Sequence, residues 1–189
     1  REGYADALSH PPVLAAIGQG RIGRIAVTYV EWAGAAHQRK VIDWTVIDGP
    51  AAARAFAEQL RNSDRSSAPH TSISAVIDFA RRELDTNGHT GTRRIIDISG
   101  DGPNSNGRDI RDARDDAVAD GITINGMPIL SFRANPGGGT PSTRLDLYYA
   151  RNVIGGPGAF LIEANMMEKF STALVKKLVR EISPPDQMI

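Results

Sequence analysis

The stretch RRIIDISGDGPNSNG, from Arg93 to Gly107, constrains this chain more than any other. Its apolar run, Arg94 to Ile98, is short and bounded by turn residues, the pattern of a strand covered on both faces. Gly100, Gly102 and Pro103 then stop the ladder, because proline donates no backbone hydrogen bond and glycine relaxes the chain. The run RDIRDARDDAVAD that follows forms a helix, so the segment is a strand, loop and helix unit. One carboxylate, Asp101, stands in the loop at the strand's carboxyl end. Ligands of open α/β sheets bind at that end, which makes Asp101 the first candidate site residue.

The rest of the chain supplies similar units. Arg1 to Leu8 reads as the tail of a helix, followed by a break at His10-Pro11-Pro12 and a helical turn through Ile17. Gly18 to Gly23, GQGRIG, has the dinucleotide-binding glycine spacing. It follows a helix and opens a strand, the reverse of the context that places a pyrophosphate at a helix amino terminus, so it is a turn. Arg24 to Trp32 and Gln38 to Trp44 are rich in β-branched and aromatic residues and are joined by a short link, which predicts an antiparallel hairpin. Asp48 is expected to cap a helix from about Gly49 to Arg61. Thr71 stands at the start of another helix, whose buried stripe is Ile73, Val76, Ile77, Ala80 and Leu84, and capping is its ordinary role. Further expected elements are a strand at Ile122 to Ile129, a glycine-rich loop at Ser131 to Arg144 and a short helix at Leu145 to Tyr149. A last strand is expected at Ala159 to Glu163, then a closing helix through Ile182 that opens on Asn165 and Glu168 as a capping box. Alternating helices and strands predict a single α/β domain over 1–189, with a doubly wound, mainly parallel sheet.

Composition narrows the function classes. The 22 basic and 22 acidic residues cancel, which removes the electrostatic case for nucleic acid or an anionic membrane surface. With no cysteine there is no disulfide scaffold, zinc-thiolate site or cysteine nucleophile. No apolar run approaches the roughly 20 residues of a membrane span.

Among motifs, Asp112, Asp115, Asp116 and Asp120 share a helix with Arg111 and Arg114, the pattern of a salt-paired solvent face. His10, His37, His70 and His89 lack zinc-ligand spacing, and Ser99 is not in a GxSxG elbow. What remains is an oxygen-only set, Asp101 with Thr71, Ser72 and Ser74. Magnesium and manganese prefer such hard oxygens and keep several waters. A Rossmann-like hydrolase drawing on Ser99, His70 and Asp101, or a nucleotide-binding enzyme in the same crevice, is the rival reading. A structural scaffold with a vestigial site is a third.

The runs TSISAVIDFA, RRIIDISGDGPNSNG, DGITINGMPI and VIGGPGAF, in that order, resemble the von Willebrand factor A (vWA) domain, and most closely the bacterial DUF1194 group within it. The resemblance covers essentially the whole chain. It implies a three-layer, Rossmann-like α/β/α fold with one antiparallel edge strand, and a non-enzymatic role in protein recognition or adhesion. Such domains hold a divalent cation, Mg2+ or Mn2+, at a metal-ion-dependent adhesion site (MIDAS), and a carboxylate of the protein partner completes it. By this resemblance Thr71 matches the threonine ligand and Asp101 the third-loop aspartate. The DxSxS ligands and the first central strand have no counterpart in the 189 residues; the family pattern puts them just before Arg1, so the domain is expected to be amino-terminally truncated and its metal site incomplete. The strands beginning near Arg24 and Arg94 must then pair directly or receive a strand from elsewhere. Pro69-His70 departs from the glycines that often precede the threonine. Relatives are usually exported, which implies a periplasmic or extracellular location.

Overall fold

The computed structural model describes residues 1–129, 144–163 and 170–183. Helices α1 (Glu2–Leu8) and α2 (Pro11–Gln19) open the chain, the second beginning on the proline pair, where a missing N–H costs nothing. The glycine-rich turn leads into β1 (Ile25–Trp32), and β2 (Gln38–Ile47) returns antiparallel beside it, with Ile25 opposite Ile47 and Trp32 opposite Gln38. This is the hairpin that the alternation predicts.

Helix α3 (Pro50–Asn62) buries Phe56 and Leu60 as expected, but Asp48 does not cap it. Gly49 holds the N-cap position without a side-chain bond, and Pro50 behind it leaves one donor fewer to satisfy. Helix α4 (Ile73–Thr86) carries Ile73, Val76 and Ile77 into the core. Its cap is Ser72 rather than Thr71: the Ser72 hydroxyl accepts from the Ala75 amide at 3.3 Å. Thr71 therefore lies one residue outside the helix.

The organising segment folds as β3 (Arg94–Gly100), α5 (Ile110–Ala119) and β4 (Ile122–Pro128), with β3 and β4 parallel and Arg94 opposite Ile122. The Asp109 side chain caps α5 by accepting from the Arg111 amide at 2.8 Å. The expected closing strand at Ala159 to Glu163 is only a single parallel bridge between Gly126 and Leu161. Its ladder is cut short because the Phe160 amide is taken by the Asn125 side-chain oxygen at 3.1 Å. Helix α6 (Leu145–Tyr148) runs on into a π-helical turn, Tyr149–Val153, and α7 (Phe170–Ile182) closes the fold. Residues 131–143 of the expected loop, and the Asn165 and Glu168 box, lie outside the described residues.

The sheet is not continuous. Among the described residues it is two separate pairs, β1 with β2 and β3 with β4. β1 and β3 do not pair directly. Ile25, Val27 and Tyr29 of β1 pack on a cluster with α1, α2, α3 and α7, while Val30 and Trp32 of the same strand pack on a second cluster with α4 and α5, to which Ile96 and Ile98 of β3 belong. The strand expected to be missing is the one that would stand between β1 and β3. No helix among the described residues is long and apolar enough to cross a membrane.

Candidate functional site

Three loops converge at the carboxyl ends of β1 and β3, and the segment Asn104-Ser105-Asn106 ties them together. The Asn104 side-chain oxygen accepts from the Ser74 amide at 3.0 Å, which anchors the start of α4. Ser105 straps Thr71, its amide donating to the Thr71 carbonyl at 2.8 Å while its hydroxyl accepts from the Thr71 amide at 3.1 Å. The Asn106 side-chain oxygen accepts from the Ala35 amide in the hairpin turn at 2.7 Å, and the Ser72 amide donates to the Ala33 carbonyl at 2.7 Å. These three residues are what sequence reasoning missed. Their signal, a polar run after proline, reads only as a turn.

The strapping places Thr71 against the Asp101 loop. A β-carbon at Gly102 would stand 3.6 Å from the Thr71 hydroxyl oxygen. Asp101 is exposed, and among the described residues its carboxylate makes no hydrogen bond or ion pair. Ser72 and Ser74 are fully buried beneath, and Gly107, with φ 92°, fits over them; a β-carbon there would lie 2.5 Å and 2.8 Å from their hydroxyls. His70, just before Thr71, takes a left-handed φ of 70°, a conformation that glycine adopts freely and other residues at a cost.

The floor of this cleft holds one unsatisfied group. Tyr149 is fully buried, and its hydroxyl has no hydrogen-bond partner among the described residues. It lies over Gly100, where a β-carbon would be 2.7 Å from that hydroxyl and 3.2 Å from the Trp32 indole. Burial pushes the Tyr149 hydroxyl's pKa up, and the charge of Asp101 adds to it. Tyr149 opens the π-helical turn, a distortion often found at functional sites.

Below the cleft a groove of about 1230 Å³ runs between β1 and β3. Charges line its α7 side. Lys177 is fully buried, its Nζ 2.5 Å from Asp97 and 3.2 Å from Glu181. Glu181 also accepts from the Asn125 amide group at 2.5 Å, and the Tyr4 hydroxyl reaches Asp97 at 3.2 Å and Ser99 at 2.6 Å. Burial works to lower the Lys177 pKa, but the two carboxylates outweigh it and raise it. Burial raises Glu181, and repulsion from Asp97 adds to that. Near the end of β1, burial of Glu31 is outweighed by bonds from Arg1, Arg39 and Ser66, which hold it at about 2.

As to other chemistry, the Ser99 hydroxyl faces Tyr4 in the groove, and among the described residues no hydrogen bond joins His70 to Ser99 or Asp101. The α5 carboxylates pair as a solvent face: Arg81 reaches Asp120 at 2.6 Å, and Arg108 reaches Asp78 at 2.7 Å and Asp116 at 2.8 Å. Among the described residues no three His, Asp or Glu side chains gather as a metal cluster. Among the described residues, this cleft offers a hard cation the Thr71 hydroxyl and the Asp101 carboxylate, oxygens of the right type but well short of an octahedral set.

Three solved structures share the fold. The proximal thread matrix protein 1 of the mussel byssus superposes with a TM-score of 0.60 at 13% identity, over 96% of this chain and 42% of that one. This chain thus spans less than half of the mussel protein. An aerotolerance-related membrane protein from Bacteroides fragilis NCTC 9343, solved with multiple mutations to serines, gives 0.59 at 18% identity, over 95% of this chain and 88% of that one. BatB, a conserved hypothetical protein from Bacteroides thetaiotaomicron, gives 0.59 at 15%, over 94% and 85%. These likenesses show a fold of the vWA type. A comparison with curated proteins returns no match. The family described as "Protein of unknown function (DUF1194)" matches residues 1–186, and it is to this family that the chain belongs.

Proposed function

We propose that this chain is one non-enzymatic domain that binds a protein partner at the cleft between Thr71 and Asp101, in the manner of an adhesion module. The observation that carries the reading is the Thr71 hydroxyl strapped beside the Asp101–Gly102 turn while the Asp101 carboxylate stays exposed and unpaired. Two hard oxygens at a strand-end crevice suit Mg2+ or Mn2+, with a carboxylate of the partner as a further ligand. Two such ligands fall short of an octahedral set, so weak binding of the cation is expected. A hydrolase finds less support, since Ser99 bonds to Tyr4 and, among the described residues, no base is joined to it. The aerotolerance-related relative is called a membrane protein, which agrees with a domain placed in the periplasm or outside the cell.

Calorimetric titration with MgCl2 and MnCl2 tests the reading. The chain is expected to bind Mn2+ with a Kd of order millimolar, and Asp101→Ala and Thr71→Ala each to weaken binding at least about tenfold. Equal binding by wild type and Asp101→Ala would overturn it.

A further inference from the structure

The chain has three Asn-Gly pairs, Asn87-Gly88, Asn106-Gly107 and Asn125-Gly126. Asparagine is thermolabile, and most so before glycine, where no side chain shields the next backbone nitrogen. That nitrogen attacks the asparagine Cγ. The new N–Cγ bond closes a succinimide ring, the Cγ–Nδ2 bond breaks, and ammonia leaves with the proton of the attacking nitrogen. Water then opens the ring. Attack on Cγ leaves aspartate; attack on the main-chain carbonyl leaves isoaspartate, whose main chain runs through Cβ and Cγ and is one carbon longer.

The fold treats the three pairs differently. Asn125 is buried in β4, its Nδ2 donating to Glu181 at 2.5 Å and its Oδ1 accepting from the Phe160 amide at 3.1 Å. The Gly126 nitrogen is also engaged, donating to the Phe160 carbonyl at 3.1 Å. Asn87 closes α4 in a helical conformation, and both ends of its side chain are held: Oδ1 accepts from the His89 amide at 2.7 Å, and Nδ2 donates to the Leu84 carbonyl at 3.3 Å. Ring closure at either residue must break these bonds first. Asn106 is exposed, and among the described residues neither its Nδ2 nor the Gly107 nitrogen makes a hydrogen bond. Its single bond favours the reaction, because the Ala35 amide donates to Oδ1 at 2.7 Å and steadies the charge that builds there as the nitrogen attacks.

The fold also fixes both residues of this pair. Gly107 has a φ of 92° and sits where a β-carbon would lie 2.5 Å and 2.8 Å from the Ser72 and Ser74 hydroxyls, so a shielding side chain does not fit. Asn106 supplies the acceptor for the hairpin turn. Ser105 fastens Thr71, Asn106 fastens Ala35 and Gly107 covers Ser72 and Ser74. One more main-chain carbon at position 106 pushes Ser105 and Gly107 apart, so the neighbouring seats are not kept together and Thr71 loses its hold beside the Asp101 loop.

We infer that Asn106-Gly107 is a site of spontaneous deamidation and isomerisation, a slow one-way modification that loosens the cleft between Thr71 and Asp101. It consumes only water and is independent of any cation or partner there.

The test keeps EDTA present, so that failure of the cation reading does not bear on it. The 189-residue chain is incubated for days in warm, mildly alkaline buffer, folded and in urea. Peptide mapping by electron-transfer mass spectrometry then separates isoaspartate from aspartate. In urea all three pairs are expected to gain one mass unit at comparable rates. In the folded chain Asn106 should react at least about tenfold faster than Asn87 and Asn125, which wait on local opening. The Ala35 and Thr71 amides should lose protection from hydrogen exchange in proportion to isoaspartate. Asn106→Asp carries the new carboxylate on an unlengthened main chain and should keep both amides protected, whereas Asn106→Gln, which needs a larger ring, should not age. A folded chain in which Asn106 reacts no faster than Asn125 would overturn the inference. Unchanged Ala35 and Thr71 protection in the isoaspartate form, or the same loss in Asn106→Asp, would overturn it too.

Discussion

The hydroxyl of Tyr149 sits over Gly100, 2.7 Å from where a β-carbon would stand, and the Trp32 indole is 3.2 Å from the same point. Gly100→Ala must displace one of them, at an expected cost of about 1–3 kcal/mol. Tyr149→Phe removes an orphaned buried hydroxyl and is expected to raise stability by up to about 1 kcal/mol. The double variant should cost less than the sum of the two, because the phenyl ring no longer meets the new methyl. Urea unfolding of the four proteins measures the coupling, and strict additivity would contradict the contact.

Lys177 is the counter-charge for Asp97 and Glu181 in a fully buried position. Lys177→Met leaves two carboxylates facing one another and is expected to destabilise by about 3–5 kcal/mol. Adding Glu181→Gln removes one of those charges and should recover part of the loss, as read from denaturation midpoints.

Glu31 sets a pH dependence. Held at about 2 in the folded chain against an ordinary 4.5, it favours folding when ionised. Its contribution is fully present above pH 4.5 and is lost as pH falls from 4.5 towards 2. Glu31→Gln should lower Tm at pH 7 and flatten the fall of Tm across that window. An unchanged slope would mean that Arg1 and Arg39 do not hold the carboxylate in solution.

His70 carries a φ of 70° beside Thr71. His70→Gly relieves that strain but adds freedom to the unfolded chain, so it should stabilise by no more than about 1 kcal/mol. His70→Val, with a branched β-carbon, should destabilise by about 1 kcal/mol or more. Calorimetric Tm values in parallel distinguish the two.

Local pattern made much of this fold legible. The apolar run before Gly100, the hairpin and the stripe from Ile73 to Leu84 all lie where periodicity puts them, because each depends on near neighbours. The cap of α4 fell to Ser72 instead of Thr71, since either residue suits the position and only the Ala75 amide decides. Ala159 to Glu163 lost its ladder to the Asn125 side chain, 35 residues away along the chain. Lys177 and Glu181 stand four apart on α7, a spacing that alone reads as a surface pair. Their burial depends on Asp97 from a distant strand. Thr71 and Asp101 were legible as candidates, but the polar side chains that hold their loops together were not, because turn residues look alike until their partners are known.

β1 packs on both apolar clusters, Ile25, Val27 and Tyr29 on one and Val30 and Trp32 on the other, and β4 does the same, with Met127 in the first and Ile122 and Ile124 in the second. Neither cluster can melt without loosening strands that the other needs, so heat should undo both at once. The calorimetric enthalpy of these 189 residues should equal the van't Hoff value.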